Sequence, residues 1–293
     1  MTTRGVEFVE LCHEAAGIGT PLVVNWAHNL IGNRPAPRLP RHPAPTTHNG
    51  SVSTYRDHAV VLRTHKLGEA DRIITLLTRG HGKVRAVARG VRRTNSRFGG
   101  RLEPFSHVDA QLGTGRSLDY VNQVETLHAY GGHLAEDYPA WTSGQAMVET
   151  ADKLVVEEKQ PALQQYRLLV GALGALARAD RPPTMLLDSY LLRSMAVAGY
   201  APTFTACASC GAPGPHTAFS PAAGGVVCRF CRPPACAHPR PETLDYLGAL
   251  LTGDWPETVG ADEAVRREGS GLTSAFVAWH MERGLRSLTL VER

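Results

Sequence analysis

The 293-residue chain lacks any apolar run of the roughly 18–20 residues that a membrane-spanning helix requires. The longest candidate, residues 168–179, is short and contains two glycines. The N-terminal segment carries Glu7, Glu10 and Glu14, and it lacks the basic start and apolar block of a secretory signal. We therefore expect a cytoplasmic protein with no membrane partner, in which cysteines stay reduced.

The sequence also lacks recognisable catalytic motifs. Gly82-Lys83 is followed by valine, and no phosphate-binding loop precedes it. The chain has no His-Glu-x-x-His motif, no nucleophile elbow and no close set of carboxylates suited to a two-metal nuclease. These absences favour a binding protein over an enzyme. A zinc-dependent nuclease is the less favoured alternative.

Acidic residues are scarce in one part of the chain. Residues 54–130 hold 13 Lys and Arg against 7 Asp and Glu, whereas residues 131–293 hold 14 against 17. This uneven distribution indicates that the first part meets a polyanion and the second does not. A proteome rich in surface arginine is the alternative explanation.

Short strands separated by glycine turns dominate residues 54–130, which we assign to one domain. Five strands in about 75 residues are typical of an OB-fold, a small barrel that often holds oligonucleotides. Residues 32–53 are rich in Pro, Arg, His and Thr, and residues 1–53 are predicted to be a flexible extension or linker. The predicted strands are residues 59–62, 72–77, 83–89, 108–112 and 118–124.

A period near 3.6 replaces the strand pattern after residue 130, so residues 131–293 are predicted to form a helical domain. The overall fold class is therefore α+β, with the barrel first and the helices second. A metal-binding module at about residues 204–236 interrupts the helices. The predicted helices are residues 141–158, 163–178, 185–198, 241–251 and 272–288.

Two Cys-x-x-Cys pairs, Cys207/Cys210 and Cys228/Cys231, define this module. Two such pairs at this separation are typical of one tetrahedral Zn²⁺ site, and four thiolates leave no position for a reactive water. We therefore predict one structural Zn²⁺ ion that holds a Gly- and Pro-rich segment folded. A thioredoxin-like redox pair and metal-free thiols are the alternatives. Other residues that could serve as ligands are Cys236, His216 and His238.

The third predicted strand has a basic pattern. Lys83, Arg85 and Arg89 alternate with small apolar residues, so they are expected to share one solvent-exposed face. Further arginines follow in the next loop, and such a cation track suits phosphates. A charged edge strand that resists aggregation is the alternative. The loop arginines are Arg92, Arg93, Arg97 and Arg101.

Aromatic residues are few in this part of the chain, so phosphate charge rather than base stacking is expected to dominate affinity. Phe98 is the best stacking candidate because it lies between Arg97 and Arg101. A phenylalanine in such a loop more often anchors the loop to the core. The other aromatic residues here are Tyr55, Phe105, Tyr120 and Tyr130.

Two further stretches are distinctive. The first is HKLGEADRIITLLTRGHGKVRAVARGVRRTNSRFGGRLEPF at residues 65–105, and the second is LLDSYLLRSMAVAGYAPTFTACASCG at residues 186–211. Both resemble the RecO family of bacterial recombination and repair mediators. The resemblance covers about residues 54–290. It implies an OB-fold followed by a helical domain with a zinc knuckle. The basic residues that it implies as DNA contacts are Lys66, Arg72, Lys83, Arg85, Arg89, Arg92, Arg93, Arg97 and Arg101.

The resemblance also implies a function in DNA repair and homologous recombination. Members bind single- and double-stranded DNA, anneal complementary strands and help to load RecA on DNA coated with single-stranded DNA-binding protein (SSB). The implied partners are RecR, the acidic C-terminal tail of SSB and, functionally, RecA. The implied location is cytoplasmic and nucleoid-associated. An RNA-binding factor that contains zinc is the alternative function.

Overall fold

The computed structural model describes residues 53–281 and 285–291. Residues 1–52, which form almost all of the predicted extension, lie outside the described residues. Strands occupy the first part of the described chain and helices dominate the second. The predicted α+β class is confirmed.

The first five strands close into a barrel in the order β1-β2-β3-β5-β4, and β4 pairs with β1 to complete it. β3 and β5 are parallel, and the other neighbours are antiparallel. This closed five-stranded barrel confirms the predicted OB-fold. Strands β1, β2 and β4 extend beyond both predicted ends, β5 begins one residue later and ends five residues later, and β3 is shifted by one residue. The strands are β1 Thr54–Leu67, β2 Asp71–Thr78, β3 Gly82–Ala88, β4 Ser106–Gly113 and β5 Asp119–Ala129.

Small and branched apolar side chains fill the barrel interior. They recur at every second position of each strand because successive side chains point to opposite faces. Residues 59–62 of β1 and 74–78 of β2 are buried on both faces, which explains the continuous apolar runs there. The interior residues include Ala59, Val61, Ile74, Leu76, Val84, Ala86, Val108, Ala110 and Leu112.

One outer side of the barrel packs against the helices. Val60, Leu62 and Leu77 point out of the barrel and join the same buried cluster as the helical residues. Phe105 joins them with its ring centroid 4.9 Å from that of Trp141. We call this outer surface the covered side. The rest of the barrel surface, around the loop between β3 and β4, is the open side.

Seven α-helices lie in the described part of the chain. The central helix α4 is buried on almost every side, so its sequence has little polar periodicity. A short 3₁₀ segment, Ser287–Leu290, follows the last helix. The helices are α1 Tyr130–Leu134, α2 Tyr138–Leu154, α3 Leu163–Arg178, α4 Pro183–Val197, α5 Pro241–Thr252, α6 Trp255–Thr258 and α7 Glu263–His280.

The predicted last helix, residues 272–288, is wrong at both ends. α7 begins at Glu263, because the side chain of Asp262 accepts a hydrogen bond from the backbone N–H of Val265 at 2.7 Å and caps the helix. The first predicted helix, residues 141–158, also runs too far. It ends at Leu154, and the following segment turns back along the barrel.

Candidate metal centre and nucleic-acid interface

A small two-stranded hairpin brings the two cysteine pairs together. Its strands are β6 Ala218–Ser220 and β7 Gly225–Val227, and Cys228 directly follows the second strand. In the first turn, the Gly211 N–H donates to the Cys207 carbonyl at 2.8 Å, with Gly211 at φ +72°. In the second, the Cys231 N–H donates to the Cys228 carbonyl at 3.1 Å.

The ligand atoms of the four predicted cysteines lie within 4.8 Å of one another. The Sγ atoms of Cys210 and Cys228 are 3.8 Å apart. A tetrahedral ion with metal–sulfur bonds of about 2.3 Å separates its sulfurs by about this distance, whereas a disulfide bond is about 2.05 Å long. The four sulfurs therefore fit a single tetrahedral metal ion.

Backbone N–H groups around the sulfurs favour ionisation of the Cys207 and Cys228 thiols. The Cys228 N–H donates to the Cys207 sulfur at 3.3 Å and is the largest cause lowering the pKa of Cys207 to about 6. The Cys231 N–H similarly lowers the pKa of Cys228. The pKa of Cys231 is raised to about 12, chiefly by its contacts with the thiols of Cys228 and Cys210. A bound cation would offset the negative charge of neighbouring thiolates, which opposes ionisation of all four cysteines.

The alternative ligands lie outside the cluster. The Sγ of Cys236 is 3.6 Å from Nε2 of His238, and Nε2 of His216 is 2.9 Å from the Ala212 carbonyl oxygen. None of the three belongs to the group of four. The described residues thus provide a complete four-sulfur set that could hold a metal ion.

The predicted basic face of β3 is divided between the two sides of the barrel. The side chain of Lys83 is only 12% exposed, and its Nζ donates to the backbone carbonyl of Asp152 at 2.8 Å. Arg85, whose side chain is 44% exposed, forms an ion pair with Glu158. The expectation that Lys83 lies on an open, wet face is therefore wrong, because the end of α2 and the segment after it cover this part of the strand.

Backbone contacts hold that segment in place. The Lys159 N–H donates to the Lys83 carbonyl at 2.8 Å. A Cβ atom at Gly82, where φ is +66°, would lie 1.7 Å from the Gln160 carbonyl oxygen. Nζ of Lys159 also reaches the buried carboxylate of Asp119 at 2.8 Å. The first half of β3 is thus part of the contact between barrel and helices.

Arg89 and the loop arginines remain on the open side. The guanidinium carbon of Arg89 lies 4.7 Å from the ring centroid of Tyr120. Arg92 donates to the carbonyls of Gly68 and Glu69 at 3.2 and 2.8 Å, which joins this loop to the β1–β2 loop. Because OB-folds use the β1–β2 and β4–β5 loops to hold oligonucleotides, these arginines border the usual binding region.

We call six of the predicted DNA contacts the open cations. Each of these six residues is exposed. Within the described ranges 53–281 and 285–291, no carboxylate lies at ion-pair distance from any of the six. Arg72 differs, because its guanidinium is 2.7 Å from a carboxylate oxygen of Glu103. The open cations are Lys66, Arg89, Arg92, Arg93, Arg97 and Arg101.

Phe98 is 1% exposed and belongs to the barrel core, so its role as a stacking candidate is wrong. It anchors the loop instead, and Arg97 lies over its ring at 4.8 Å. The sequence pattern does not identify Tyr120 as a stacking residue, although its ring is partly exposed beside Arg89. It also does not identify Arg116, which is exposed in the β4–β5 loop. The use of the β4–β5 loop by OB-folds is the signal that points to both, since Tyr120 lies at the start of β5 beside this loop.

Comparison with known families accounts for both parts of this architecture. The model of the Recombination protein O N-terminal domain matches residues 52–130, and the model of the C-terminal domain matches residues 135–289. The chain belongs to the RecO family. The resemblance inferred from residues 65–105 and 186–211 is therefore confirmed.

Similar RecO proteins cover most of this chain. DNA repair protein RecO of Cutibacterium acnes is 59% identical over 246 residues, which are 83% of this chain and the whole length of that relative. DNA repair protein RecO of Streptomyces coelicolor is 58% identical over 248 residues, with the same two shares. That of Thermobifida fusca is 57% identical over 242 residues, again 83% of this chain and all of the relative.

No helix within residues 53–281 and 285–291 is long and apolar enough to cross a bilayer.

Proposed function

We propose that this chain is a DNA repair and recombination mediator that binds single- and double-stranded DNA and anneals complementary strands. The observation that carries the proposal is the set of six open cations on the barrel, one of which, Arg92, binds the β1–β2 loop. Phosphates attract such cations strongly because binding releases condensed counterions. The contacts we propose are the six open cations, while Arg72, Lys83 and Arg85 already face carboxylates of the chain.

Annealing follows from the same charges. Two strands repel each other as polyanions, and cations on the barrel lower that repulsion when both strands approach. Base pairing supplies the free energy, so the reaction requires no ATP. We accordingly propose a mediator without enzymatic activity.

The wider role that we propose is help in loading RecA on DNA coated with SSB. RecR and the acidic C-terminal tail of SSB are the proposed protein partners. The proposed division is an extension at residues 1–53, a DNA-binding domain at residues 54–130 and a helical domain at residues 131–293. The proposed location is the cytoplasm, in association with the nucleoid.

We further propose that the metal is one structural Zn²⁺ ion held by Cys207, Cys210, Cys228 and Cys231. Purified protein should contain one zinc per chain, and Cys207→Ser should lose the zinc and lower the melting temperature. Because the open cations belong to the barrel, the barrel's contribution to DNA binding should remain. Elemental analysis of protein purified without chelators tests this, and a metal-free preparation would contradict it.

An annealing assay tests the proposed function. Complementary labelled oligonucleotides are mixed with the protein, with and without ATP, and duplex formation is followed by fluorescence. The wild type should accelerate annealing equally in both conditions. Replacement of Arg92, Arg93 and Arg97 by glutamine should abolish most of the acceleration.

The same samples distinguish the alternatives. Cleavage of the labelled strands in the presence of Mg²⁺ would identify a nuclease. A strong preference for RNA oligonucleotides in competition would identify an RNA-binding factor. Either result would overturn the proposed function.

A further inference from the structure

The second cysteine turn carries a highly exposed aromatic ring. Phe230, between Arg229 and Cys231, is 82% exposed. The guanidinium carbon of Arg229 lies 4.6 Å from its ring centroid. The arginine therefore covers part of one face of the ring, while most of the ring remains in contact with water. Phe230 contributes little to the core of the module, so its position calls for another explanation.

The turn fixes the position of this ring. The flanking residues Cys228 and Cys231 both belong to the four-sulfur cluster, and their backbone hydrogen bond closes the turn. The Cys228 N–H is also held by the sulfur of Cys207. A ligand that stacks on Phe230 would thus lose little affinity to ordering of the backbone.

The surroundings of the ring favour an anionic ligand. No Asp or Glu occurs between Asp188 and Glu242, whereas Arg229 and Arg232 are exposed on either side of the turn. A neighbouring cavity of about 590 Å³ is lined by these two arginines, Phe230 and His216. A planar ring beside two guanidinium groups matches a single-stranded nucleic acid, which offers flat bases and phosphates at short intervals.

We propose that the turn from Arg229 to Arg232 is a second contact for single-stranded nucleic acid, separate from the barrel. A base stacks on the open face of Phe230, Arg229 supports the opposite face, and Arg232 contacts an adjacent phosphate. The bases are bound without sequence preference because every base has a face for stacking. This inference deepens the proposed function and rests on it, since it assigns part of the single-strand affinity to the metal-binding module.

The test compares two exposed aromatic residues. Phe230→Leu keeps an apolar side chain but removes the aromatic face, and Tyr138→Leu does the same at a residue that is 56% exposed at the start of α2. Fluorescence anisotropy with labelled oligo(dT) at fixed salt should show about tenfold weaker binding for Phe230→Leu and no change for Tyr138→Leu. Arg232→Gln should lower the log–log salt slope by about 0.7.

Three measurements keep the results interpretable. Zinc content and melting temperature verify that each variant is folded. An oligonucleotide that contains 5-iododeoxyuridine should crosslink to the peptide that contains Phe230 in the wild-type protein. Crosslinks confined to the barrel, together with equal affinities of both leucine variants and the wild type, would overturn the inference.

Failure of the proposed function gives a different pattern. In that case the wild-type protein itself would not bind oligo(dT). Replacement of Arg92, Arg93 and Arg97 by glutamine would then cause no further loss of binding. If Phe230→Leu instead lost binding to an SSB tail peptide while it kept the wild-type affinity for oligo(dT), the turn would be a protein-docking surface and the inference would be wrong.

Discussion

The covered and open sides of the barrel contain cations that are neighbours in sequence but differ in their partners. Lys83 and Arg85, in the first half of β3, face the carboxylates of Asp152 and Glu158. Arg89, in the same alternating pattern, lies over Tyr120 on the open side. The strand thus changes from a structural contact to a candidate binding surface within a few residues.

This difference shows that a row of cations is not by itself a binding surface. A cation that already has a carboxylate partner neutralises a DNA phosphate less completely, because part of its charge is already neutralised. Its contact with DNA therefore releases fewer of the counterions that are condensed on the DNA. The alternation of β3 identifies the side chains that share a face but not what covers that face. The open cations, rather than the whole basic strand, should therefore determine DNA affinity.

The largest effect on the covered side should come from Gly82→Ala. A Cβ atom would overlap the Gln160 carbonyl, and the positive φ would add backbone strain. We expect a loss of about 3 kcal/mol in the free energy of unfolding, measured by urea denaturation. Gly99→Ala is the matched control, because Gly99 also has positive φ, at +53°, but no atom lies within 4 Å of its added Cβ.

Gly99→Ala should lower the free energy of unfolding only by the backbone strain, about 1 kcal/mol. Equal losses for the two variants would show that the segment after α2 does not pack on β3.

A second effect should appear as a dependence of stability on pH. His107 lies on the covered side with its Nε2 2.8 Å from the hydroxyl of Tyr166, and its buried Nδ1 has no hydrogen-bond partner among the described residues. Burial, followed by the nearby His128 and His58, lowers the pKa of His107 to about 4. The unfolded chain therefore binds a proton near pH 6.5 that the folded chain binds only near pH 4.

Stability should consequently fall as the pH decreases from about 6.5 to 4, with His107 contributing up to roughly 3 kcal/mol of the loss. Urea denaturation at several pH values should show that the free energy of unfolding of His107→Phe depends less steeply on pH than that of the wild type. Tyr166→Phe removes the hydrogen bond but keeps the buried imidazole, so it should retain the slope. An unchanged slope in His107→Phe would mean that this side of the barrel is accessible to water.

The smallest stability effects are expected when single cations on the two sides of the barrel are replaced. Lys83→Met removes a charged hydrogen bond to the Asp152 carbonyl and should cost about 2 kcal/mol. Arg92→Gln removes an exposed group and should change stability by less than about 0.5 kcal/mol. Thermal denaturation of both variants would check this, and a greater loss for Arg92→Gln would reverse our assignment of the two sides.

Much of this architecture could be predicted because local patterns determine it. Alternating apolar residues and glycine turns identified all five barrel strands, and the spacing of the cysteines identified the four-sulfur cluster. The partner of Lys83 could not be predicted, because Asp152 lies 69 residues away and is brought close only by tertiary packing. Phe98 illustrates the same limit, since a loop sequence does not show whether an aromatic ring points inward or outward.

The salt dependence of single-strand binding tests the central claim most directly. The affinity for labelled oligo(dT) is measured at several salt concentrations for the wild type, for a variant with Arg92, Arg93 and Arg97 replaced by glutamine, and for one with Lys83 and Arg85 replaced. Each lost phosphate contact lowers the log–log slope by about 0.7, so the first variant should lose about 2 from the slope and the second should keep the wild-type value. A slope that falls in the second variant and stays unchanged in the first would contradict the account.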